Sequence, residues 1–139
     1  FILDSNPMYF YRQRESSFSK SDENVDLIYV SVTEQMCNLV EAKYPLALPF
    51  ARLEYLTNCV WGYEQIVRIG SKTERRDQLP GLRYDIDKYR KYVVANVDSS
   101  VDNIRFGDKL RWYLISRHPH IFAVLYRMFR KIKSTSLQE

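Results

Sequence analysis

The chain has 139 residues, 27% of them charged and 45% apolar, with a formal net charge of +4. That length supports one hydrophobic core without covalent staples, and so modest a charge does not by itself point to nucleic acid. Charged residues break every apolar run well short of the ~20 residues a bilayer-crossing helix needs, and no signal-peptide pattern is visible.

The opening residues are the most distinctive. Phe1-Ile2-Leu3 is a short apolar run, and beyond Pro7 three aromatics, Tyr9-Phe10-Tyr11, run into Arg12, Arg14 and the serines 16–17. This reads as the last strand of a larger domain, and because the chain opens on Phe1 the expectation is a fragment. Residues 1–22 are accordingly expected to form an extended arm and residues 23–139 a helical domain.

Ser19, Ser21 or Asp22 can each cap the first helix, which is expected over residues 23–43. Leu27, Ile28, Val32, Met36, Leu39 and Val40 recur there at three and four, the stripe of an amphipathic helix. Tyr44-Pro45 interrupts it, since a residue before proline is pushed out of the helical region. A second helix follows over 48–69, with Pro49 in its first turn and Gly70 placed to end it. Gly62 inside that helix either weakens it or lets another helix approach closely.

Residues 71–81 are charged and end in Pro80-Gly81, so they read as a solvated connector. A third helix is expected over 84–101, with Asp85 and Asp87 near its positive end. A turn over 99–107, a fourth helix over 108–117, a break at His118-Pro119 and a fifth helix to about residue 133 complete the pattern. The fold expected is all-α, a bundle of about five helices with a short extended N-terminal arm.

Candidate chemistry is sparse. Cys37 and Cys59 fit no zinc or redox spacing and fall among apolar neighbours, so both are expected to be buried reduced thiols, as suits a cytoplasmic protein. His118 and His120 read as a capping or surface pair rather than metal ligands. No glycine-rich phosphate loop is present, and no catalytic or metal-ligating residue is assigned. Glu74-Arg75-Arg76-Asp77 reads as a solvated charge run.

Two stretches stand out. In the last helix a broad apolar face opposes Arg127, Arg130, Lys131 and Lys133, so it can lie in a membrane interface, where each cation is worth ~1 kcal/mol near anionic lipid. Alternatively it is a packed terminal helix whose cations complement its own dipole. Arg12 and Arg14 lie two apart on a strand and share a face. Such a pair can grip a diphosphate bidentately, or pair with Glu15 and nearby carboxylates on an exposed edge.

Residues Pro7-Met8-Tyr9-Phe10-Tyr11-Arg12-Gln13-Arg14-Glu15-Ser16-Ser17 closely resemble a segment of family 2 glycosyltransferases that follows the acid-bearing part of the catalytic domain. That segment is typically a proline, aromatics, Tyr-Arg, a second arginine and Gly-Ser. Ser16 stands where the family has glycine, which makes the turn less permissive. Lys109-Leu110-Arg111-Trp112-Tyr113-Leu114-Ile115 through His118-Pro119 to Lys133 also looks like the helical C-termini of bacterial members that build capsule, exopolysaccharide or lipopolysaccharide.

The resemblance implies a hexosyltransferase-type enzyme that moves a sugar from a nucleotide-diphosphate donor to a glycan or lipid-linked acceptor at the inner membrane face, with a divalent metal, Mg or Mn, in the parent catalytic domain. It maps Tyr11, Arg12, Arg14 and Ser17 near the donor diphosphate and implies that these residues alone are inactive. Two other classes fit the helices themselves: a non-enzymatic interaction module, such as a homodimer, and a peripheral membrane-binding domain.

Overall fold

The computed structural model describes residues 27–97 and 104–135, with side chains through Lys131. Five α-helices account for nearly all of these: α1 (Ile28–Lys43), α2 (Leu48–Ile69), α3 (Lys72–Asn96), α4 (Phe106–Arg117) and α5 (Pro119–Thr135), with a single 3₁₀ turn at Pro45–Ala47 between the first two. The all-α bundle expected from periodicity is the fold observed, with no strand among the described residues. The N-terminal arm and its capping serines lie outside them.

Side-chain pairings set the direction of each helix. Cys37 Sγ donates to the Ala51 carbonyl at 3.2 Å, while Tyr29 meets Trp61 edge-on at 6.1 Å, so α1 and α2 run antiparallel. Arg75 reaches back to the Ile66 and Val67 carbonyls at the end of α2, and the Tyr55 hydroxyl donates to Asp85 at 2.9 Å. Helices α2 and α3 are thus antiparallel as well. Arg83 Nε donates to the Ser116 carbonyl at 2.9 Å and the Arg90 guanidinium lies over the Tyr113 ring, which sets α4 against α3 in the same sense.

Helix α2 is the centre of the bundle. Ala51, Tyr55, Leu56, Cys59, Tyr63 and Ile66 are among its buried residues, and they meet Cys37 from α1, Ile86 and Val93 from α3 and Ile115 from α4. Gly62 serves close packing, since a Cβ there would stand 2.8 Å from Leu27 Cδ2 and 3.7 Å from Leu82 Cδ1. Both cysteines are buried and unbonded. Burial pushes the Cys59 thiol up to about 12 and raises that of Cys37, so neither is a nucleophile at neutral pH.

The segment expected to be a solvated connector is helical instead, a correction with a clear local cause. Ser71 Oγ accepts from the Glu74 amide at 3.2 Å, and Glu74 Oε2 accepts from the Ser71 amide at 2.7 Å. This reciprocal capping box starts α3 at Lys72, and the helix then runs through Pro80 and Gly81. Asp85 and Asp87 therefore lie mid-helix, not at its positive end. Asp85 is held by Tyr55, and Asp87 accepts from Arg90 and Lys91, whose pairing holds its carboxyl below the usual range.

Pro80 has no N–H to offer the Arg76 carbonyl, and its ring crowds that carbonyl. Pro80→Ala is expected to raise folding stability by about 1–3 kcal/mol, the helix-interior penalty less the entropy proline removes from the unfolded chain. Urea denaturation followed by far-ultraviolet circular dichroism checks this. A loss of stability would mean that the ring makes contacts outweighing its backbone cost.

Helix α1 turns inward only the flank of the apolar stripe read in its sequence, through Leu27 and Val40. Thr33 and Cys37 are its buried residues, with Leu27, Val30 and Val40 packed beside them. Ile28, Val32, Met36 and Leu39 are exposed. The small Thr33 and Cys37 let the helix sit close against α2, whereas the larger stripe would hold it away.

Candidate functional site

The fourth and fifth helices carry the features of most functional interest. Helix α4 starts at Phe106, two residues earlier than expected, where the Arg105 amide donates to Asp108 Oδ2 at 3.2 Å in the first turn. It ends at His118, whose amide caps the Leu114 carbonyl at 2.8 Å and whose own carbonyl accepts from the Phe122 amide. The His118 ring meets Tyr113 edge-on, so this histidine acts as a cap, and His120 is exposed on the following turn. Pro119 then opens α5.

Among the described residues, helix α5 packs on the bundle through Phe122, Ala123 and Tyr126, along one edge. Phe122 is buried, with its ring 5.9 Å from Tyr63 of α2 and 5.6 Å from Tyr126, while Ala123 and Tyr126 are partly covered. Val124, Met128 and Phe129 remain 56%, 55% and 67% exposed, and Ile121 and Leu125 lie on the same outer side. Each large apolar side chain left in water forgoes about 1.5–3 kcal/mol of burial. This is the amphipathic helix read in the sequence, but docked by its rim rather than packed by its apolar face.

Two recesses flank it. Between α4 and α5 lies an apolar groove of ≈ 470 Å³ whose walls include Leu110, Leu114, Leu125 and Phe129, together with Glu64, Arg111 and Arg130. Between the last turn of α2 and α5 lies a second of ≈ 430 Å³, lined by Arg68, Tyr126, Arg127, Arg130 and Lys131. Three of the four cations singled out in the sequence thus meet around one cavity. Lys133 falls in the last turn of α5, its side chain outside the described residues. Arg68 was missed in the sequence because nothing local links the end of α2 to a helix so far along the chain.

A third recess of ≈ 370 Å³, between α2 and α4, is lined by both tryptophans, Trp61 and Trp112, with Glu54, Glu64, Asp108 and Arg111 among its walls. Glu64 joins it to the apolar groove. Its carboxylate sits 3.4 Å from Arg111 Nε, yet burial holds its pKa above the ordinary value of 4.5 against the pull of Arg111 and Arg130. A carboxyl raised in the folded state favours folding below its unfolded value and loses that advantage as pH rises through the folded one. Glu64→Gln is therefore expected to lessen the fall in melting temperature as pH rises from about 4.5, and an unchanged profile would show that Glu64 does not feel its burial.

No three His, Cys, Asp or Glu side chains converge on a metal position among the described residues. Nor is any of the helices searched long and apolar enough to cross a membrane. Tyr11, Arg12, Arg14 and Ser17, expected near a donor diphosphate, lie outside the described residues. What the described residues bring together is a five-helix bundle with a cationic recess beside an exposed apolar helix face. No protein-family description, curated protein or solved structure matches this chain.

Proposed function

We propose that this chain is the C-terminal helical region of a family 2 glycosyltransferase of cell-surface polysaccharide synthesis, which moves a sugar from a nucleotide-diphosphate donor to a glycan or lipid-linked acceptor. What carries the reading is the run Tyr9 to Ser17, in which three aromatics lead into Arg12 and Arg14, two residues apart in the sequence. Two guanidiniums so spaced neutralise and orient a diphosphate through forked hydrogen bonds. Tyr11 and Ser17 add hydroxyl donors beside it.

The helices suit a supporting role. The divalent metal of such an enzyme belongs, on the same resemblance, to its catalytic domain. Binding of uridine and guanosine diphosphates to these 139 residues, with Mn or Mg, checks the division of labour. No saturable binding is expected from titration calorimetry, and tight metal-dependent binding would overturn the reading of these residues as inactive by themselves.

A further inference from the structure

We propose that α5 and the recess beside it form a seat for an anionic membrane surface, with lipid phosphates held by Arg68, Arg127, Arg130 and Lys131 while Val124, Met128 and Phe129 enter the headgroup boundary. This inference is independent of the transferase reading, because none of the groups it uses belongs to the donor-binding segment.

Three observations lead to it. The first is the docking of α5 by its rim, which leaves Ile121, Val124, Met128 and Phe129 pointing outward. The second is the position of the cations relative to that face. At roughly 100° per residue, Arg127 and Lys131 fall beside Val124 and Met128 on the helix surface. A helix lying flat with its apolar side down thus carries them at headgroup height, where their stems reach along the apolar boundary and their charges stay in the polar layer. The third is Arg68. It comes from α2 rather than α5, yet lines the same recess, so the cationic feature is assembled by the tertiary fold and is more than the cationic end of one helix.

Charge selects the membrane over the other occupants of an apolar face. No aspartate or glutamate falls within α5. In an antiparallel pair of copies meeting through this face, the Arg127 and Lys131 flank of one falls beside that of the other, and like charges oppose such a dimer. Nucleic acid would satisfy the cations but has no use for a face of valine, methionine and phenylalanine. An anionic bilayer satisfies both sides at once. Length fits too, because α5 is 17 residues long and carries four cations, so it lies on the surface and does not cross it.

The test is co-sedimentation of the 139-residue chain with vesicles of phosphatidylcholine alone or mixed with phosphatidylglycerol. Binding is expected only to the mixed vesicles and is expected to fall as salt rises toward ~0.5 M. Replacing Arg127, Arg130 and Lys131 together by glutamine is expected to weaken binding by roughly a hundredfold, since each cation near an anionic surface contributes about fivefold. A second variant, Met128→Ser with Phe129→Ser, keeps every charge and is also expected to release the protein. All five positions are exposed, and unchanged helicity by circular dichroism shows that both variants fold.

The proposal is overturned by equal binding to neutral and anionic vesicles, by no binding to either, or by binding that survives either variant. Release by inorganic phosphate at the concentration of the lipid phosphate would reassign the recess to a soluble anion. A mass that grows with protein concentration without lipid, and that Met128→Ser abolishes, would give the face to a second copy. None of these results bears on sugar transfer, so failure here leaves the transferase reading where it stands.

Discussion

Leu56→Ala is expected to lower folding stability by about 2–5 kcal/mol, read as a drop in the urea midpoint at unchanged slope. Leu56 is fully buried on α2, the helix against which both α1 and α3 pack. Truncation removes its transfer free energy and leaves a void that close-packed neighbours close only in part. Against a total of about 5–15 kcal/mol for a domain of this size, that is a large fraction. Phe129→Ala removes an even larger side chain, but at 67% exposure it is expected to stay within about 0.5 kcal/mol. The contrast separates the core from the outer face of α5, and equal losses would show that α5 packs inward.

Much of the fold could be read from residue order. Pro45, Pro49 and Pro119 mark real boundaries because proline disrupts a helix it falls inside and fits one it begins. Pro80 misled for the same reason. A capping box at Ser71 and Glu74, itself visible as Ser-Lys-Thr-Glu, fixed the start of α3 twelve residues before the expected one. The helix then bears an internal proline because packing of Leu82, Ile86 and Val93 against its neighbours outweighs the lost backbone bond. Local punctuation and tertiary burial conflicted, and burial prevailed.

The inward face of α1 was legible only at Leu27 and Val40, for a related reason. Periodicity ranks positions by hydrophobicity, and Thr33 and Cys37 rank below Ile28 and Leu39. What decides is closeness of approach. The Cys37 thiol reaches the Ala51 carbonyl, Thr33 bonds back to the Tyr29 carbonyl at 2.7 Å, and Gly62 opens room opposite Leu27. In the candidate site the cations of α5 were legible as a charge pattern, whereas the recess they line with Arg68 required the fold.

The transferase reading rests on Arg12 and Arg14, and the expected consequence of losing them is large. Each charge-assisted bond to a diphosphate is worth about 1.5–3 kcal/mol, so removing two forked guanidiniums is expected to cost at least about a hundredfold in kcat/KM. The loss should appear with donor varied more than with acceptor varied, because only the donor carries the diphosphate. Lysine at both positions should recover part of it, since charge is kept while the fork is lost.

The most direct measurement is sugar transfer from nucleotide-diphosphate donors to lipid-linked or glycan acceptors by the full-length protein that carries these residues, compared with its Arg12→Gln, Arg14→Gln variant. The account predicts transfer by the parent and a loss of at least about a hundredfold in the variant, with the melting transition unchanged. A parent that transfers no sugar from any such donor, or a variant as active as the parent, would contradict it.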